Sequence, residues 1–236
     1  MTPNALANAI APTGTLRAVI NLGNPVLAQG AHDAPRGVTV SIATEVARWL
    51  GVPLQLTCVD AARDAYAAIA GGKVDMCFLA NEPAREEAVR FTAPYVLIEG
   101  VYVVDADSPL TSSDVVDRPG VRIGVRMGSA YDLYLTRTIE HAEVVRANEA
   151  TDVFEEQGLD TAAGVRQPMA DYVAATGRRI LEPAFMEIRQ SVGLPRALDT
   201  DAVAAVADHV EYLKASGFVH DELARSGVEA SVAPPA

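Results

Sequence analysis

The stretch Lys73–Tyr95, KVDMCFLANEPAREEAVRFTAPY, limits what this chain can fold into more than any other. Val74, Met76, Phe78 and Leu79 form an apolar run between Gly72 and Asn81. That run is too short for a buried helix and reads as a strand covered on both faces. A polar turn carrying Arg85 follows, and the chain returns through Phe91, Pro94 and Tyr95. In open α/β sheets ligands sit beyond the carboxyl ends of the strands. Ala80 at the strand's end and an arginine launched just after it are therefore placed to hold a small anion.

Taken in order, the remaining segments alternate between strand and helix signals. Leu16–Asn21 predicts a first strand, and the loop after it holds Asn21 and Asn24, which can read a polar ligand or simply form turns. Gly37–Gly51 predicts an amphipathic helix from the spacing of Ile42, Val46, Trp49 and Leu50, with Trp49 as a core anchor. Val52–Val59 predicts a second strand. Asp60 at its carboxyl end either pairs with a ligand ammonium group or caps the following helix.

Val101–Val104 predicts a strand, and Glu99 beside Gly100 is either a hinge-edge carboxylate or a solvated charge. From Val121 to Ile139 the pattern is strand, Gly128–Ser129 turn and helix. The free N–H groups at Ser129 and Ala130 would then face an anion, although Ser129 as a plain N-cap is the competing reading. No Lys-Ser or Lys-Thr follows Gly128, which excludes a P-loop. Arg179–Leu194 predicts strands returning the chain to its first half, and Asp199–Gly227 predicts two helices. The tail SVAPPA carries no packing signal and is expected to fray.

Composition narrows the function class. The 236 residues carry a net charge of -12 with no cluster of Lys and Arg, which argues against nucleic acid. Cys58 and Cys77 each lie in an apolar run and read as small buried hydrophobes, not as a disulfide. The four histidines lack metal-ligand spacing, and no hydrolase, zinc-protease or dinucleotide fingerprint occurs, so neither metal nor cofactor is expected. No run is long enough to span a bilayer.

The order Gly72-Lys73-x-Asp75, a short apolar strand, Arg85 and then Phe91-Thr92-x-Pro94-Tyr95 resembles the family 3 solute-binding proteins, the polar amino-acid receptors of ABC importers. The resemblance runs from about Leu16 to about Gly227. It implies a two-lobe α/β type II periplasmic binding protein fold with two hinge crossovers, each lobe a mostly parallel sheet flanked by helices. Residues 1–100 with 191–236 would form one lobe and 101–190 the other.

It further implies that Arg85 clamps a ligand carboxylate helped by the Gly128-Ser129 turn, where Ala130 stands in place of a hydroxyl residue. Asn21, Asn24, Asp60 and Ala80 would line the rest of the site. The family's ammonium-holding carboxylate falls at Val165, beside Arg166, so Arg166 either takes a second acid group or faces solvent. The implied partners are a small carboxylate or amino acid and, beyond it, ABC-transporter membrane subunits, with the protein itself a monomer or weak dimer.

The family is periplasmic, yet Met1–Gly14 lacks the basic and apolar regions of a leader, so the chain reads either as cytoplasmic, if complete as written, or as an exported protein whose leader has been removed. The resemblance also reaches cyclohexadienyl dehydratase-like proteins, in which Asp60, Glu99 or Asp132 would act as general acid. A cytoplasmic metabolite sensor is the remaining expectation.

Overall fold

The computed structural model describes residues 2–228 and 230–236. The chain divides into two compact units, one made of the residues up to Leu97 together with Arg189–Ala236, the other of Ile98–Ile188. The first opens with helix α1 (Pro3–Ile10), strand β1 (Leu16–Asn21), the hairpin β2 (Gln29–Ala31) and β3 (Ala34–Arg36), helix α2 (Val38–Leu50), β4 (Leu54–Val59), α3 (Ala62–Ala70) and β5 (Cys77–Ala80). β6 (Val89–Val104) carries the chain into the second unit, which holds β7 (Arg122–Arg126), α4 (Ala130–Thr138), β8 (Glu143–Ala147), α5 (Ala150–Gln157), β9 (Thr161–Val165) and α6 (Arg166–Thr176). β10 (Arg179–Pro195) returns it, and α7 (Thr200–Ala215), α8 (Phe218–Arg225) and β11 (Ser231–Val232) complete the first unit.

In the first unit β1 pairs with β4 in parallel, Leu16 opposite Leu54 and Asn21 opposite Val59. Ala18 bridges Met76 in the same sense just before β5 begins, so β1, β4 and β5 all point one way. The exception is β10, which runs antiparallel to β5 with Gln190 opposite Ala80. Helix α3 closes one face over a core of Val19, Ala65, Ile69, Cys77 and Leu79. Burying each large aliphatic side chain there contributes roughly 1.5–3 kcal/mol. Asp75 explains the acidic position ahead of β5, since its carboxylate accepts from the Arg17 backbone N–H at 3.0 Å and from Arg17 Nη2 at 2.5 Å. The pair fastens the start of β1 to the approach of β5.

In the second unit β7 lies between β8 and β9 and is parallel to both. β6 is antiparallel to β9, with Gly100 opposite Val165. Val101, Val103, Val153, Phe154, Leu159 and Met169 fill the core beneath α5 and α6. Gly124 permits that packing, because a Cβ there would sit 2.9 Å from the Ala150 carbonyl oxygen. Both units are therefore α/β with mostly parallel strands and helices packed against them, the type II periplasmic binding arrangement expected from the sequence.

Two expectations are corrected. Trp49 is no core anchor: it is 40% exposed and stacks on His209 of α7, ring centroids 4.5 Å apart. Ile42, Val46 and their alanine neighbours already fill the buried stripe of α2, and Trp49 falls outside it. Nor does the tail fray, because β11 pairs with Val96 and Leu97 of β6 and Ala233 is buried. A two-residue strand is invisible to periodicity. Both cysteines are free, as expected, with Cys77 fully buried. Among the described residues no helix is long and apolar enough to cross a membrane.

Candidate functional site

Because β1, β4 and β5 are parallel, their carboxyl ends meet at one edge of the first unit and bring Asn21, Asp60 and Ala80 together. Asn21 Oδ1 accepts from Gly23 N–H at 3.0 Å, and Asn24 Oδ1 accepts from Val26 N–H at 3.3 Å. Both asparagines are thus turn formers, as one of the two sequence readings had it. Asp60 is exposed and lies 2.9 Å from His32 Nε2 at the tip of the β2–β3 hairpin. The N-cap residue of α3 is Ala61, one residue after Asp60. His32 was passed over in the sequence as an isolated histidine, and no local pattern links the hairpin tip to the end of β4.

Arg85 ends a 3-10 turn (Pro83–Arg85) beyond β5 and is only 3% exposed. Its Nη1 donates to the Ala80 carbonyl oxygen at 3.0 Å, and its backbone N–H donates to the Glu82 carbonyl oxygen at 2.8 Å. Burial pushes the guanidinium down to about 10, while the buried Glu82 carboxylate holds it up. It stays a cation at neutral pH. Burial likewise pushes the Cys77 thiol up to about 12 despite the nearby Arg85 charge.

The second unit repeats the arrangement. The carboxyl ends of β7, β8 and β9 point the same way and each feeds a helix start, at Ala130, Ala150 and Arg166. Gly128 turns the chain with φ +72°, a left-handed conformation that favours glycine. Ser129 then caps α4, its hydroxyl accepting from Asp132 N–H at 3.0 Å. The N-cap reading of Ser129 is correct. The buried Asp132 carboxylate accepts from Gly128 N–H at 2.8 Å and from Arg146 Nε at 2.8 Å, so this helix start already holds one carboxylate of the chain's own. Burial pushes the neighbouring Tyr131 phenol up to about 12, opposed by its hydrogen bond to Ser129 and by the Arg126 charge. Arg126 ends β7 and pairs with Glu149 at 3.2 Å ahead of α5. The sequence reading missed both, although Arg126 stands immediately before the Gly-Ser turn.

Arg166 is the first residue of α6, and it is not simply solvent-facing. Its guanidinium contacts Glu99 of β6 and binds Glu182 of β10 through Nη1 at 2.7 Å and Nη2 at 2.9 Å. The cause is register: with Gly100 opposite Val165, the next step of the antiparallel ladder sets Glu99 opposite Arg166. Two carboxylates therefore match one guanidinium, which keeps its proton more tightly than a free arginine and holds Glu182 below the usual carboxylate range. Among the described residues no group of three His, Cys, Asp or Glu side chains is placed to hold a metal ion.

Comparison with known proteins locates this arrangement. The model of the bacterial extracellular solute-binding proteins, family 3, matches residues 18–224. Among curated proteins none matches the chain. The solved structures most like it include an amino acid ABC transporter substrate-binding protein, AbpA, from Streptococcus pneumoniae bound to L-arginine. It is 18% identical with a TM-score of 0.74, covering 93% of this chain and 97% of that one. The ancestral amino acid-binding protein AncCDT-1, a precursor of cyclohexadienyl dehydratase, is 19% identical with a TM-score of 0.73, covering 94% of this chain and 99% of that one. A histidine kinase sensor domain with similarity to periplasmic binding proteins is 15% identical with a TM-score of 0.77, covering 93% of this chain and 98% of that one.

Proposed function

The chain belongs to the bacterial extracellular solute-binding proteins, family 3, and from that premise we propose that it is a receptor for a small carboxylate, an amino acid first among them, and that its two units close on it. Arg85 and the start of α4 at Ser129 and Ala130 take the ligand carboxylate. Asn21, Asn24, Asp60 and Ala80 line the remainder, and Arg166 with its two glutamates sets the charge at the start of α6. Buried Arg85 carries the reading. Its guanidinium keeps its charge in a nearly water-free place beyond the carboxyl end of a parallel strand, steadied by Ala80 and Glu82, and open α/β sheets take their ligands at that end. Closure would follow from binding energy gained on both units, and an importer's membrane subunits would recognise the closed form. A thermal-shift screen over amino acids, dicarboxylates and keto acids tests the proposal, since a ligand specific for the folded form raises its melting point. No shift with any of them, confirmed by calorimetry, rejects it.

A second reading is a lyase on the same scaffold, favoured by the pairing of Asp60 with His32 and by the likeness to a precursor of cyclohexadienyl dehydratase. Asp132 is a poor general acid, being bound to Arg146 and the α4 start, and Glu99 is tied to Arg166. Asp60 is the group left for the task. Product formation followed by mass spectrometry separates catalysis from binding alone.

A further inference from the structure

The six C-terminal residues are tied down at a particular place. Ser231 lies opposite Leu97 and Val232 opposite Val96 in an antiparallel ladder, and Ala233 N–H donates to the Tyr95 carbonyl oxygen at 3.1 Å. Lys214 of α7, its side chain 4% exposed, donates to the Pro234 carbonyl oxygen at 2.8 Å and to Glu211 Oε1 at 2.6 Å. The second oxygen of Glu211 accepts from the Ala236 N–H at 3.3 Å. A buried ammonium and its carboxylate are thus committed to holding the backbone of the tail.

The segment of β6 that it grips is where the chain leaves the first unit, whose last residue before the passage is Leu97. β9 takes hold of β6 from Gly100 onward. Along this edge of β6 only Ile98 and Glu99 lie between the two ladders, Glu99 is held by Arg166, and β10 pairs with the opposite edge.

We propose that residues 231–236 form a strap that stiffens β6 at this passage by adding a second strand partner beside β10, thereby tuning how readily the units close. The tuning rests on the receptor reading above; the stiffening does not. With the strap in place the ladder bonds at Tyr95, Val96 and Leu97 resist opening. Without it this edge of β6 is unpaired from Tyr95 to Glu99, with β10 the remaining strand partner, and Lys214 loses an acceptor.

The test removes the strap in two ways: truncation after Ala230, and Ala233→Pro in the full chain, which deletes the N–H that donates to the Tyr95 carbonyl oxygen while keeping the tail's full length. Hydrogen–deuterium exchange over Tyr95–Glu99 is compared with the rest of the chain, and L-arginine affinity is measured by calorimetry. Exchange across Tyr95–Glu99 should quicken by about tenfold while β7 and α5 keep their protection. The arginine dissociation constant should change several-fold, since bending is part of binding. Unaltered exchange over Tyr95–Glu99 overturns the proposal. So does quickened exchange spread evenly through β1 and α3, which would make the tail a general brace, and so does unaltered affinity beside quickened local exchange. Should the unmodified protein bind no L-arginine or other amino acid, the receptor reading fails, and the exchange data alone decide whether the strap stiffens β6.

Discussion

Arg85 Nη1 donates a 3.0 Å hydrogen bond to the Ala80 carbonyl oxygen, folding the guanidinium back over the end of the strand that precedes it. Replacing Arg85 therefore touches stability as well as binding. Arg85→Met should cost about 1–3 kcal/mol of folding stability by stranding a buried acceptor. It should also weaken carboxylate binding by 2 kcal/mol or more, roughly thirtyfold, as truncating one member of a desolvated charge pair does. Denaturant unfolding and calorimetry measure the two losses separately; full affinity in a folded variant removes Arg85 from the site.

Asp132 accepts from Gly128 N–H and Arg146 Nε while its own N–H is held by Ser129. Asp132→Ala should cost about 1–3 kcal/mol, the scale for leaving the Gly128 N–H without its acceptor, since Arg146 keeps contact with water. Asp132→Asn, which keeps the size and one acceptor, should cost less. Equal and small losses by urea unfolding would show that the start of α4 is held by Ser129 alone.

Trp49 is the single tryptophan and lies flat against His209. Burial lowers the His209 imidazole from the ordinary value of 6.5, so the folded state resists protonation that the unfolded chain accepts. The stability due to the neutral ring is complete above about pH 6.5 and is lost as pH falls from there through the lowered folded value. Melting temperature should fall across that window, with a parallel change in Trp49 fluorescence, and His209→Gln should flatten both. A fluorescence midpoint at or above the free-histidine value contradicts this.

Glu182 is held below the usual carboxylate range, first by its hydrogen bond to Arg166. That contribution is present above about pH 4.5 and disappears as pH drops through the lowered folded value. Both partners keep contact with water, so the effect is small and salt-sensitive. Arg166→Gln should soften the acid limb of the stability profile at low salt and leave neutral-pH stability nearly unaltered. An acid limb identical to that of the unmodified protein would remove the pair from the account.

The sequence by itself determined the strands and helices whose side chains repeat with a clear period, including the buried run before Arg85, α2 ending at Gly51, the Gly128–Ser129 turn into α4 and the last two long helices. Those signals are local, because a strand buried on both faces or a capped helix records its own environment in its own residues. It also determined the family, through motifs that keep their order along the chain.

Only the tertiary structure decided the partners. Trp49 met His209, Asp60 met His32, Arg166 met Glu99 and Glu182, and the tail met β6, each pairing residues far apart in the chain. Charges and short strands choose partners by register and by which elements pack together, and no residue's neighbours in sequence carry that information.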